Sequence, residues 1–186
     1  MAALFSNWRG EWRLRRQAAA YVSVLRQEPA DDDVAWLAGV ATEGDVDRAR
    51  WELRYARTAL GLLTAERDAL DDRTPSLVAR EIAAALHADP RVAAQMVKVA
   101  EQQFNERLST YRHALTDRRA TLAVTERLGD ALLRVAGAVP NAETRTRASA
   151  IVSRGLDEAN AALREQFGAA ALPPDVRPSL LGTKPS

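Results

Sequence analysis

His87 and His113 are the two histidines of the chain, and in a helical protein their first use would be as ligands of a di-iron or di-manganese centre. Such a centre takes a Glu-x-x-His motif from each of two helices, so that both ligands project from one face. Ala84 and Thr110 stand three residues before the histidines, and neither can ligate. His113 also falls opposite the apolar stripe of its own segment, which points it at solvent. His87 closes a segment, where a cation suits the negative end of a helix dipole. Capping or surface exposure accounts for it, and no metal or cofactor is expected.

Nucleophilic chemistry fares no better. Ser76, Ser109, Ser149 and Ser153 lack a Gly-x-Ser-x-Gly setting, and neither histidine is placed to serve them as a base. No Gly-x-Gly-x-x-Gly or Walker-type loop offers a phosphate cradle. The carboxylate pairs Asp31–Asp33 and Asp71–Asp72 flank helix starts, where capping explains them. The chain has no cysteine, which removes disulfides, thiolate zinc sites and cysteine nucleophiles. No catalytic residue is assigned, and the reading leans away from an enzyme.

Two constellations suit recognition rather than reaction. Arg9, Arg13 and Arg16 share a helical face beside Trp8 and Trp12, a combination that fits an anionic membrane surface or a phosphate-bearing partner. Packing of the tryptophans and solvation of the arginines explain it as well. The run Gln102-Gln103-Phe104-Asn105-Glu106-Arg107, with Tyr111 after it, sets polar groups beside aromatic ones and could line a pocket between helices. Ordinary polar pairs on a half-exposed helix are the plainer account.

Composition bounds the partners. Twenty-six basic residues against 25 acidic ones leave a net charge of +1, so no global field draws nucleic acid. Nucleic acid and membrane surface therefore stand below a protein partner. Lys98 and Lys184 are the two lysines; every other basic residue is Arg, a usage that with abundant Ala fits a GC-rich, bacterial genome. No apolar run approaches the ~18–20 residues needed to cross a bilayer. Arg13, Arg15 and Arg16 fall where a secretory leader would be apolar. A cytoplasmic location is expected.

The elements that must carry these residues read as helices throughout. Residues 1–30 form an amphipathic helical arm, closed by Glu28-Pro29 because the residue before Pro leaves the α region. A bundle of four to six helices spans 31–167, and 168–186 is an extended or disordered Pro-rich tail. Within the bundle, Thr74-Pro75, Asp89-Pro90 and Pro140-Asn141 are start signals, and a break falls within 116–123, where the apolar stripe rotates by about 130°.

One segment, Val46 to Leu70, is apolar on two opposite sides. Val46, Ala49, Leu53, Ala56, Leu60 and Leu63 make one seam; Trp51, Tyr55, Thr58 and Leu62 make the other. Such a helix must be covered twice, from within the bundle or by a partner chain. The all-α reading therefore leads to a non-catalytic interaction or assembly protein, a homo-oligomer or the partner of another helical protein. Trp8, Trp12, Arg9, Arg13, Arg16, Trp51, Tyr55 and Leu62 are its candidate face. A ligand-binding bundle with an apolar pocket at Trp51, Tyr55, Phe104 and Tyr111 is the alternative. A peripheral membrane or nucleic-acid-associated protein using the Arg/Trp face comes third.

Overall fold

The computed structural model describes residues 2–168, with side chains from Gly10 onward. Trp8, Arg9 and the Pro-rich tail lie outside these described side chains. The described residues form seven α-helices and no strand: α1 (Ala2–Leu25), α2 (Asp31–Ala41), α3 (Val46–Asp68), α4 (Arg73–His87), α5 (Val97–Thr116), α6 (Val124–Ala136) and α7 (Ala142–Phe167). A 3-10 turn at Ala94–Met96 precedes α5. All seven helices pack as a single domain.

The two-sided helix sits at the centre. α3 touches all six other helices, and both of its stripes are covered by its own chain. Ala49, Leu53, Ala56, Leu60 and Leu63 are buried on one side, Tyr55, Thr58 and Leu62 on the other. Val46 is exposed at the helix start. Ala18, Tyr21, Val22 and Leu25 of α1 belong to the same core as α3. Small residues let these helices close up: a Cβ on Gly61 would stand 2.4 Å from the Leu25 methyl carbons, and Tyr21 Oη donates to the Gly61 carbonyl at 2.8 Å. Between α6 and α7 a Cβ on Gly129 would meet the Ser149 backbone nitrogen at 2.7 Å. At that crossing backbone lies against backbone, which any side chain would force apart.

Helix starts follow the sequence where the capping group is free and depart from it where that group is engaged. Asn141 caps α7, accepting from the Thr144 amide at 2.9 Å. Asp71 accepts from the amides of Arg73 and Thr74, at 2.8 and 2.7 Å, so α4 starts at Arg73 and Thr74, the cap expected before Pro75, lies inside the helix. Asp31, Asp32 and Asp33 lie in the first turn of α2 rather than before it, where their charge favours the positive end of the dipole. Asp89 was expected to open the long helix, but α5 starts at Val97. The Asp89 carboxylate instead binds the Arg91 amide and guanidinium and reaches Arg26 Nη2 at 2.8 Å.

The break expected within 116–123 is present, between Thr116 and Val124. Its lock was not foreseen. The Arg127 guanidinium donates to the carbonyls of Ala114 (2.8 Å), Leu122 (3.0 Å) and Leu115 (3.4 Å), satisfying the open end of α5. α6 stops at Gly137, whose φ of +110° suits a residue without Cβ, so Val139 lies beyond the helix and is exposed.

Candidate functional site

The side chains with most to offer a ligand gather where α3 faces α4 and α5. Helical spacing on α3 turns Arg48, Trp51, Glu52 and Tyr55 to one side, and on the facing segment it does the same for Met96, Val99, Ala100, Gln103 and Arg107. Between these two ridges runs an open trough of about 520 Å³, closed at one side by Arg91, Val92 and Ala93. A narrower notch of about 40 Å³ shares Trp51, Tyr55 and Arg91 with it and is also lined by Ile82, Leu86 and Phe104. Such a notch holds a few water molecules, far less than the ~300–1,000 Å³ of a drug-sized ligand site.

The aromatic floor is a row of tilted rings. Trp51 and Tyr55 have ring centroids 5.5 Å apart, and Tyr55 lies 6.3 Å from Phe104. The guanidiniums of Arg54 and Arg91 sit over Trp51 at 5.0 and 5.8 Å, within cation–π range. Tyr55 Oη donates to Gln103 Oε1 at 3.2 Å. Burial, reinforced by the Glu52 charge, pushes the Tyr55 hydroxyl up to about 12, so it is a neutral donor at physiological pH.

Charges beneath and beside this floor are held in pairs. Glu52 is buried and binds Arg107 through two bonds, Nη2–Oε1 at 2.6 Å and Nε–Oε2 at 3.1 Å. Asp89, also buried, is clamped by Arg91 and Arg26, and its hydrogen bonds from Arg91 hold its carboxyl well below the usual range. Arg91 also reaches Glu28, which binds Arg54 at 2.6 Å. With its carboxylates committed to arginine and its tyrosine protonated, the trough presents aromatic and aliphatic surface among paired charges.

The solvent-facing rim sets apolar side chains beside the exposed Arg48, Arg91 and Gln103. Met96 is 47% exposed and Val99 42%. A second cleft, about 320 Å³ between α3 and α7, differs in that respect. Its rim charges are tied to one another, Arg57 to Glu158 at 2.7 Å and Arg154 to Asp33.

Of the sequence's pocket residues, Trp51, Tyr55 and Phe104 come together. Tyr111 does not join them: it is fully buried, with no hydrogen-bond partner for its hydroxyl. Leu62 is buried as well and offers nothing to a surface. Trp12, Arg13 and Arg16 lie exposed on α1, away from the trough, with the Arg16 guanidinium 4.8 Å over the Trp12 ring. His113 is exposed, and His87 Nε2 lies 2.5 Å from Glu101 Oε1 at the surface. Among the described residues no three His, Asp or Glu side chains gather as metal ligands. Nor is any described helix long and apolar enough to cross a membrane.

Sequence reading missed Arg48, Glu52, Arg91, Val92, Met96 and Val99, while Gln103 and Arg107 of the run it singled out do line the trough. One signal was available. Met96, Val97, Val99 and Ala100 are four apolar residues in five, more than the single stripe through Phe104 requires. Comparison with protein-family models, curated proteins and solved structures returns no match for the chain.

Proposed function

We propose that this protein is a non-catalytic interaction module that docks a segment of another protein in the trough between α3 and α5. The observation that supports the reading is the exposed Met96 and Val99 rim above the Trp51–Tyr55 floor. Exposed apolar side chains grouped along a concave surface mark a place where another surface is accepted. Methionine suits that use, because its unbranched side chain adapts to the surface it meets. The open form of the trough favours a peptide segment over an enclosed small molecule.

Selection of binders from a displayed peptide library tests the reading. The enriched peptides are expected to compete with one another and to lose at least about tenfold in affinity, or ~1.4 kcal/mol, on the Met96→Ser, Val99→Ser double variant. Binders indifferent to those changes would overturn it. A reproducible mass adduct on the purified protein, lost in Trp51→Ala, would favour the ligand-binding alternative.

Self-association is a second reading, supported by a separate observation. Trp12 is 54% exposed on α1, unusual for the residue type that most often anchors interfaces. Native mass spectrometry should then show a dimer or larger species that Trp12→Ser converts to monomer. A wild-type monomer across the concentration range would dismiss it.

A further inference from the structure

We infer that the occupant of the trough is an acidic amphipathic helix from a different protein; this rests on the docking reading above. Both walls are helical ridges. Arg48, Trp51, Glu52 and Tyr55 span two turns of α3, while Met96, Val99, Ala100, Gln103 and Arg107 run up the 3-10 turn and α5. Two such ridges leave a groove that a third helix fills with side chains at i, i+3, i+4 and i+7.

The lining charge selects the sign of the partner. Of the three arginines that line it, Arg107 is committed to the buried Glu52 and Arg91 to Asp89 and Glu28, so Arg48 decides the sign. Arg48 is exposed and, unlike Arg91 and Arg107, joins none of the ion pairs among the described residues. An incoming carboxylate at the Arg48 end therefore meets an unneutralised guanidinium, whereas an incoming cation is repelled.

The chain's own terminal segments have the wrong charge. The start of α1 carries Arg9, Arg13, Arg15 and Arg16 against Glu11, and residues 169–186 carry Arg177 and Lys184 against Asp175. Four prolines within that tail, Pro173, Pro174, Pro178 and Pro185, also oppose a continuous helix. Neither segment, from this copy or a second one, matches the trough.

The test is selection from a displayed library of amphipathic helices whose flanking positions are randomised among Asp, Glu, Ser, Lys and Arg. Enriched helices are expected to be acidic at those flanks. Their binding should weaken with added salt and about fivefold on Arg48→Ser, the worth of one exposed charge contact. Enriched helices that are neutral or basic, yet still depend on Met96 and Val99, would overturn the acidic partner and leave the docking reading standing. Enriched helices indifferent to Met96→Ser and Val99→Ser would sink both. Circular dichroism of each variant confirms that the fold is retained, as expected for exposed positions.

Discussion

The two flanks of α3 are built from different materials. Towards α7 the helix presents Ala49, Leu53, Ala56, Leu60 and Leu63, all apolar and two of them small, and the nearby cleft is rimmed by charges that pair with each other. Towards α4 and α5 it presents Trp51, Tyr55 and Glu52, which meet an aromatic ring, a buried ion pair and an open trough. Small apolar residues allow close helix approach and leave little to recognise. Aromatic rings and tethered arginines hold helices farther apart and leave a surface with shape and charge. One flank therefore closes on its neighbours alone, while the other both closes the core and leaves an open trough.

That contrast can be broken from either side. Glu52→Ala should have the largest effect, destabilising by about 3–5 kcal/mol, because it leaves the mostly buried Arg107 with only the exposed Glu106 as a partner; urea unfolding at constant m-value measures it. A cost under 1 kcal/mol would mean that water already reaches the pair. On the opposite flank Leu60→Ala should cost about 2–5 kcal/mol, the usual penalty of a buried leucine cavity. A change within about 0.5 kcal/mol, the range of surface substitutions, would place that seam outside the core.

Asp89→Asn should cost about 2 kcal/mol at neutral pH, since it removes charged hydrogen bonds to Arg91 and Arg26. The pH dependence fixes the cause. The folded carboxyl titrates below its unfolded value of about 3.9, so its contribution is present above that value and is lost as pH falls through and below it. The variant's acid limb should be correspondingly flatter; identical acid limbs would show that the clamp contributes nothing. The smallest effect belongs to Tyr111→Phe. Removing a buried hydroxyl that has no partner should leave stability unchanged or raise it by up to about 1 kcal/mol. A clear loss would reveal a hydrogen bond to that hydroxyl.

Much of the architecture was legible because helix periodicity and capping are local properties. The seams of α3, the break before α6 and the Asn141 cap of α7 all rest on residues within a few turns of one another. The late start of α5 was not legible. It depends on Asp89 meeting Arg26, which is 63 residues away, so the same Asp-Pro signal reads as a helix start when seen alone. The Arg127 lock on the end of α5 is of the same kind: its carbonyl partners carry no sequence signal. Half of the site was visible as aromatic residues at helical spacing. The other half was not, because Arg48, Arg91 and Met96 become neighbours only when α3 and the turn before α5 are brought side by side.

Hydrogen exchange along α3, measured at low and high protein concentration, tests the central claim that this helix is covered on both sides by its own chain. The expected result is strong protection from Leu53 to Ala65 that does not change with concentration. Protection of Tyr55 to Leu62 that appears only at high concentration would contradict it, because a second copy would then be closing the flank assigned here to α4 and α5.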